Sequence, residues 1–204
     1  ETLKYFKIDY PIEISTYADV PSNTGLGSSS AFAVGLVNAI CGLQNKKFSK
    51  NKIAEIASKI EVDILKRPMG RQDHYASCFG GINKITFKKS KILVKPFFKN
   101  KNFLNIIKNN FLLFYTGIRR DSSKILKAQF QIDKKQQKIL CKMRDQVDQI
   151  VNLVKKNKNP SEIGEVLDIG WTLKKNISSK ISNYKIEKYY KIAKRNGSTG
   201  GKVL

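Results

Sequence analysis

A glycine turn followed directly by three serines is the part of this sequence best suited to chemistry. Pro21-Ser-Asn-Thr-Gly-Leu-Gly-Ser-Ser-Ser30 leads into a small-residue, apolar run, which predicts a helix beginning near Ser28. A helix N-terminus offers free backbone N–H groups and a positive dipole end, so it favours an anion. The candidate phosphate-binding residues are Pro21, Gly25, Leu26, Gly27, Ser28, Ser29 and Ser30. An ordinary serine-capped helix after a glycine turn is the alternative that this segment alone leaves open.

The glycine turn does not follow the two commonest phosphate-binding patterns. A Walker loop would end in Gly-Lys-Ser or Gly-Lys-Thr, and Ser30 stands where the dinucleotide pattern has its third glycine. The acidic residue expected about twenty positions later is also missing, because lysines occupy that region. The sequence therefore disfavours both a P-loop and a dinucleotide fold.

Two acids follow the turn at a useful distance along the chain, Glu61 and Asp73. Magnesium prefers oxygen ligands, often one or two carboxylates together with substrate phosphates and water. Phosphoryl transfer also needs a group that orients or deprotonates the attacking hydroxyl. Each acid has a plainer interpretation, Glu61 as a surface acid among lysines and Asp73 as a helix cap. Their combination with a phosphate-binding turn favours phosphoryl-transfer chemistry.

Three further side chains are candidates for supporting roles. Arg119 and Arg120 follow a Thr-Gly pair and are the candidates for binding a second phosphate on the substrate. Their alternative is a solvated pair at a helix start, where arginine opposes the dipole. His74 could orient Asp73, although its position in the sequence favours a partly exposed loop residue.

The predicted elements that carry these residues are mixed strands and helices. Alternation of apolar and polar residues predicts a strand over Ile12–Thr16, and the glycine turn leads into a helix over Ser28–Gly42. A second helix is predicted over Ser49–Lys66, with Glu61 at the rim of its apolar face. Strands are predicted over 82–87, 92–98 and 111–115, and helices over 121–157, 160–177 and 183–194.

This order predicts an α+β protein of two domains. A boundary near Asn100–Asn102 divides a phosphate-binding domain at residues 1–102 from a mostly helical domain at 103–204. The chain starts without an initiator Met inside a predicted strand and stops after a Gly-Gly turn, so we expect a segment of a larger enzyme.

The net charge of +23 raises the alternative of a basic nucleic-acid-binding domain. Lysine supplies 33 of the 39 basic residues, whereas arginine is the side chain that forks onto phosphates and guanine edges. The most basic stretch, Lys84–Lys108, has no arginine, and residues 1–45 carry a net charge of −2. We interpret the lysines as solvated surface charge and expect no specific nucleic acid partner.

The remaining composition concerns location. Three widely spaced cysteines and a single histidine argue against a disulfide framework or a multi-histidine metal site, and favour a reducing, cytoplasmic setting. The longest apolar stretch is too short and too interrupted by glycine to span a bilayer, so no membrane partner is expected.

The motifs together resemble a known family. The segment Pro21-x3-Gly-Leu-Gly-Ser-Ser-x-Ala31 is similar over its full length to the second motif of the GHMP kinases, which phosphorylate galactose, homoserine, mevalonate and phosphomevalonate. The later Glu61-x-Asp63, Pro68-x-Gly-x-Gln-Asp73-x-Tyr-Ala76 and Phe79-Gly-Gly81 resemble the sugar-kinase branch that acts on a heptose 7-phosphate. Tyr115-Thr-Gly117 followed by Arg120 also resembles that branch, and Gly200–Leu204 resembles the approach to the third motif.

The resemblance implies a fold and a function. The fold would pair a ribosomal-protein-like βαβ N-domain with a helix-rich, ferredoxin-like C-domain, truncated at both ends. ATP and Mg²⁺ would be the cofactors, and Gly25 to Ser30 would wrap the triphosphate. Ser29, with Ser28 as the alternative, would hold the metal with Glu61. Asp73 would be the catalytic base, acting on the anomeric hydroxyl of a phosphorylated heptose to give a 1,7-bisphosphate. A mevalonate, homoserine or galactose substrate is the alternative within the family, and a homodimer is compatible with it.

Overall fold

The computed structural model describes residues 1–20, 24–96, 101–118, 133–156 and 158–203. These residues form two compact units, the first extending to Pro96 and the second comprising residues from 101 onward. Each unit has its own hydrophobic core.

The chain begins with a short helix rather than the predicted strand. Helix α1 spans Thr2–Tyr5, and Phe6 and Ile8 after it are buried in the core of the first unit. The strand predicted over Ile12–Thr16 does not form, and Ile14 is exposed. Alternating polarity alone gives a segment two faces, but a strand also needs a neighbouring edge to bond.

The glycine turn and the helix after it agree with the prediction. Gly25 and Gly27 both have positive φ, and helix α2 follows directly as Ser28–Leu43. Three of its residues, Val34, Val37 and Ile40, recur on one face and are buried in the core. That burial anchors the helix, so its N-terminus and the serines are held at a fixed place in the first unit.

The second predicted helix forms but changes its winding midway. Helix α3 spans Lys50–Ser58, with the Ser49 side chain accepting the Lys52 N–H at 3.3 Å. It continues as a π-helix over Lys59–Ile64, in which the Leu65 N–H donates to the carbonyl of Ile60, five residues earlier. π-Helical turns are rare in proteins, and those that occur are often at functional sites.

A helix and a hairpin complete the first unit. Helix α4 spans Gln72–Phe79 and ends at Gly80, which has positive φ. Strands β1 (Asn83–Phe87) and β2 (Ile92–Pro96) pair antiparallel, with Asn83 opposite Pro96. The predicted hairpin is therefore confirmed over these two strands, and residues 97 and 98 of the predicted second strand lie outside the described residues.

The second unit is mostly helical, as predicted. Helices α5, α6, α7 and α8 span Lys101–Asn110, Lys134–Lys155, Pro160–Lys175 and Tyr184–Arg195, with a short 3₁₀ turn at Ser179–Ile181. The core forms around Trp171, Ile177, Ile181 and Ile186. Helix α5 was not predicted from the sequence. Residues 121–132 of the predicted helix over 121–157 lie outside the described residues.

The apolar segment Phe111–Tyr115 was predicted to be a strand and is not one. The segment has no regular secondary structure, and Leu112, Leu113 and Phe114 are largely exposed. A run of β-favouring residues becomes a strand only where a partner strand is available. The α+β class is nevertheless confirmed, with helices combined with one two-stranded sheet in the described residues.

The segment after α8 packs tightly on α7. A Cβ atom added to Gly200 would lie 1.9 Å from the carbonyl oxygen of Gly164. Glycine at 200 is therefore required by the close approach of the two backbones. None of the helices in the described part of the chain combines the length and apolar character needed to cross a membrane.

Candidate functional site

The glycine turn lies against one of the two predicted acids. Gly27 has φ of 73° and directly precedes α2. A Cβ atom placed on it would lie 3.5 Å from Cβ of Asp73 and 3.6 Å from Oδ2. The Asp73 carboxylate therefore lies beside the N-terminus of α2, where phosphate is expected to bind.

The three serines at the start of α2 have different environments. Ser29 is exposed, and its hydroxyl donates to Oε1 of Glu61 at 2.8 Å. Ser30 is 1% exposed, and its Oγ has no hydrogen-bond partner among the described residues. Ser28 is half-buried. Of the three, Ser29 thus makes the contact with the acid that the sequence analysis paired with it.

Glu61 is buried, which differs from the predicted position at the rim of the helix. Glu61 is part of the π-helical turn and is 4% exposed. A π-helix takes more residues per turn than an α-helix, so the 3.6-residue wheel used for the prediction no longer applies there. The change of winding is a tertiary feature that periodicity did not reveal.

Three side chains donate hydrogen bonds to the Glu61 carboxylate. Oε1 accepts from Ser29 and from Nη1 of Arg67, the latter at 2.5 Å. Oε2 accepts from Nε2 of His74 at 2.7 Å. The two carboxylate oxygens therefore have different roles, one facing the serine and the other held from the interior.

The surroundings keep Glu61 ionised. Burial by itself raises the pKa of its carboxyl group, but hydrogen bonds from His74 and Ser29 and the nearby positive charge of Arg67 lower the pKa below its ordinary value. A negatively charged oxygen is thus available beside the glycine turn at neutral pH.

Asp73 lies within a helix rather than in the loop before it. Helix α4 begins at Gln72, so Asp73 occupies its first turn, where a carboxylate is favoured by the helix dipole. The residue is exposed, in contrast to Glu61. The site therefore combines a buried carboxylate and an accessible one.

The prediction that His74 is a partly exposed loop residue is wrong. His74 lies in α4 and is 0% exposed, and its ring contacts Glu61. Successive residues of a helix point about 100° apart, so an exposed Asp73 and a buried His74 are compatible on one helix. Helical assignment of residues 72–79 would have separated the directions of Asp73 and His74, but the burial of His74 depends on what packs against the helix.

Arg67 was not identified from the sequence as a site residue. Its Nη1 lies 3.1 Å from Oγ of Ser29 as well as 2.5 Å from Oε1 of Glu61. Lys66 in a left-handed conformation ends the helix, and the Arg67 N–H donates to the carbonyl of Glu61 at 3.0 Å. Nothing in the sequence pattern distinguishes this arginine, because the reversal of the chain after the π-helix brings it back over Glu61.

The other predicted site residues divide into two groups. Gly25 and the exposed Leu26 lie in the turn, with Gly25 in the left-handed region. Pro21, Arg119 and Arg120 lie outside the described residues.

The residues present fit a magnesium ion shared with a phosphate. Ser29 Oγ and Glu61 Oε1 are hard oxygen donors 2.8 Å apart, and one cationic nitrogen, Nη1 of Arg67, already contacts both. The described residues contain no group of three or more His, Cys, Asp or Glu side chains that could hold a metal by themselves. Magnesium commonly uses one or two protein oxygens and completes its shell with phosphate and water.

Comparison with known proteins identifies relatives. Residues 1–81 match the family model of the GHMP kinases N terminal domain. D-glycero-alpha-D-manno-heptose 7-phosphate kinase of Campylobacter jejuni is 31% identical over 195 residues, covering 93% of this chain and 57% of the relative. Galactokinase of Pyrococcus furiosus is 29% identical over 50% of this chain and 28% of its own length. Mevalonate kinase of Saccharolobus solfataricus is 33% identical over 40% of this chain and 26% of its own length.

The chain thus spans little more than half of the heptose phosphate kinase and about a quarter of the other two relatives.

Proposed function

Since this chain belongs to the GHMP kinase family through residues 1–81, we propose that the protein transfers a phosphoryl group from ATP to a hydroxyl of a small molecule. The observation that supports this most directly is the grouping of Ser29, Glu61 and Asp73 around the glycine turn. An anion-binding helix start, a metal-binding oxygen pair and an accessible carboxylate are the parts that phosphoryl transfer needs.

Each part has a separate role. The backbone from Gly25 to Ser30 binds the phosphates of ATP, and Ser29 and Glu61 would hold a magnesium ion. When bound, this ion would supply positive charge that offsets the negative charge of the phosphates. Asp73 accepts a hydrogen bond from the attacking hydroxyl and takes its proton as the oxygen bonds to the γ-phosphorus. The bond between that phosphorus and the bridging oxygen breaks, which releases ADP.

The proposed acceptor is the anomeric hydroxyl of D-glycero-D-manno-heptose 7-phosphate, and the product is the 1,7-bisphosphate. The support is the likeness to a heptose 7-phosphate kinase along 93% of this chain, against 50% or less for the galactokinase and mevalonate kinase named above. Arg119 and Arg120 remain predicted to bind the phosphate already on the sugar. A cytoplasmic location and a homodimer also stay predictions.

A substrate panel tests the proposal. The full-length protein is assayed with ATP and Mg²⁺ against heptose 7-phosphate, galactose, mevalonate and homoserine, with release of ADP as the readout. We expect turnover with the heptose phosphate and little with the others. Turnover with mevalonate or homoserine alone would keep the kinase assignment and overturn the substrate. No turnover with any acceptor would contradict both.

Asp73→Asn and Glu61→Gln should fail in different ways. We expect Asp73→Asn to lower kcat by about 10²- to 10⁴-fold while ATP still binds, because only proton transfer is lost. Glu61→Gln should weaken metal-dependent ATP binding, since it removes the charged ligand. Steady-state kinetics and calorimetric ATP titrations with and without Mg²⁺ separate the two. Normal turnover in either variant would remove that residue from the site.

A further inference from the structure

We propose that His74 is a positioning residue that holds the Glu61 carboxylate in the orientation needed for metal binding. The inference rests on the proposed function, because it concerns the same metal site. His74 is not among the residues that would touch ATP, metal or substrate; it acts through Glu61.

The geometry gives His74 control of one carboxylate oxygen. Its Nε2 lies 2.7 Å from Oε2 of Glu61, and both side chains are almost fully buried, at 0% and 5% exposure. An ionised carboxylate only accepts hydrogen bonds, so Nε2 carries the hydrogen. With Oε2 occupied in this way, Oε1 is left facing Ser29 and the solvent side of the site.

The role of this contact becomes clear from Arg67. The Arg67 guanidinium already contacts Oε1, and its side chain is 52% exposed and so can move. A guanidinium favours a two-pronged contact with both oxygens of a carboxylate. The hydrogen bond from His74 to Oε2 prevents that arrangement. Ser29 and Arg67 therefore share Oε1 alone, and this oxygen can bind a metal ion when Arg67 moves away.

Orientation of Asp73, the alternative role raised by sequence proximity, does not fit the contacts. The buried His74 ring bonds to Glu61, and its Nδ1 has no hydrogen-bond partner among the described residues. Asp73, one residue earlier, is exposed and points about 100° away around the helix. The histidine therefore supports the metal-binding acid rather than the catalytic one.

Three substitutions of His74 test whether a hydrogen-bond donor at the position of Nε2 is needed. In His74→Gln the side-chain amide nitrogen can occupy the place of Nε2, whereas in His74→Asn the amide ends near the place of Nδ1. His74→Leu keeps bulk and removes both donors. Cys78→Ala is the matched control, since Cys78 lies one turn later on α4 and bonds to the carbonyl of Lys50 rather than to Glu61.

The readout is nucleotide binding by the full-length protein, measured by calorimetry with Mg²⁺ and again with EDTA. We expect His74→Leu and His74→Asn to weaken Mg²⁺-dependent ATP binding by about 10-fold or more, the range typical of groups that orient metal ligands. Binding in EDTA should not change, and His74→Gln should recover most of the loss. Thermal unfolding of each variant shows whether it is folded.

The outcomes separate this inference from the proposed function. Equal losses with Mg²⁺ and with EDTA, equal effects of Gln and Asn, or an unchanged affinity in His74→Leu would each overturn the positioning role. If the unaltered protein bound no ATP under either condition, the proposed function would fall, and the role of His74 with it. Wild-type affinity in Cys78→Ala supports the inference when His74→Leu is weakened.

Discussion

At the scale of single residues, Glu61 shows how one carboxylate is given two different oxygens. His74 holds Oε2 from the interior, while Ser29 and Arg67 share Oε1 at the surface. A buried charge is tolerated only when it is paired and hydrogen-bonded. The three donors together satisfy this condition for the Glu61 carboxylate. The same arrangement leaves Oε1 in contact with the Arg67 guanidinium, a half-exposed cation that a metal ion can replace.

Arg67 should compete with the metal for that oxygen. Its Nη1 contacts both Ser29 and Glu61, so any cation bound there must displace it. Because the arginine is half-exposed, we expect Arg67→Gln to lower the Mg²⁺ concentration needed for half-maximal activity by about three- to fivefold, which corresponds to about 1 kcal/mol or less. Arg71→Gln is the control, since Arg71 pairs with Asp63. A higher Mg²⁺ requirement in Arg67→Gln would instead assign Arg67 to ATP binding.

Ser29 and Ser30 offer a second comparison of neighbours. Ser29→Ala removes a donor to Glu61 and a proposed metal ligand, so Mg²⁺-dependent ATP use should weaken. Ser30→Ala removes a buried hydroxyl without a partner, which should leave stability equal or slightly higher and ATP use nearly unchanged. Mg²⁺ titrations and thermal unfolding measure both. Similar losses of ATP use in the two variants would mean that Ser29 is misassigned.

At the scale of elements, the site is made where two helices begin and a third changes its winding. Helix α2 supplies the serines, the π-helix after α3 supplies Glu61, and α4 supplies both Asp73 and His74. The glycine turn is where α2 and α4 approach each other, because Gly27 starts α2 and also lies beside Asp73 of α4.

Gly27→Ala tests whether this position requires glycine. At φ of 73° an alanine is strained by about 1–2 kcal/mol, and its Cβ would fill the space beside Asp73 without a severe clash. We expect a lower Tm together with reduced kcat. Gly35→Ala in the middle of α2 is the control, since nothing lies within 4 Å of its added Cβ, and it should raise stability by about 0.5–1 kcal/mol. A Gly27→Ala protein as stable as the original would contradict the strain.

The elements also show where periodicity is sufficient. The helix at 160–175 was predictable from its Asn159 cap and the proline at its first position. The helix at 28–43, which has no side-chain cap, was predictable from the glycine turn before it, and the hairpin from two apolar runs around a short polar turn. The segments at 12–16 and 111–115 were predicted as strands and are not, since strand formation depends on a partner that no local pattern supplies.

At the scale of the whole molecule, the charge of +23 is mostly lysine and does not describe the site. Each unit contains one acid whose burial is offset by hydrogen-bond donors, Glu61 in the first and Glu187 in the second. Burial raises the pKa of Glu187, but hydrogen bonds from Ser182 and Lys175 lower it below the ordinary value, as happens for Glu61.

Stability should therefore fall in acid. A carboxyl whose pKa is lower in the folded than in the unfolded protein adds stability above the unfolded pKa, and this is lost as pH falls through the folded pKa. We expect the stability difference between the original protein and Glu187→Gln to be largest near pH 7 and to shrink below about pH 4.5. Urea unfolding at several pH values measures it. A difference independent of pH would contradict an electrostatic role for Glu187.

The sequence by itself determined the chemical inventory: the glycine turn, the serines, two acids at a useful distance, and motifs that resemble the GHMP kinases. These are local features, since a turn, a helix start and a motif are written in consecutive residues. Only the tertiary structure decided which groups meet. It buried Glu61 through a π-helical turn, placed His74 behind it, and brought Arg67 over it by a chain reversal. Those contacts depend on how separate elements pack, and packing between distant segments is not written in the spacing of either one.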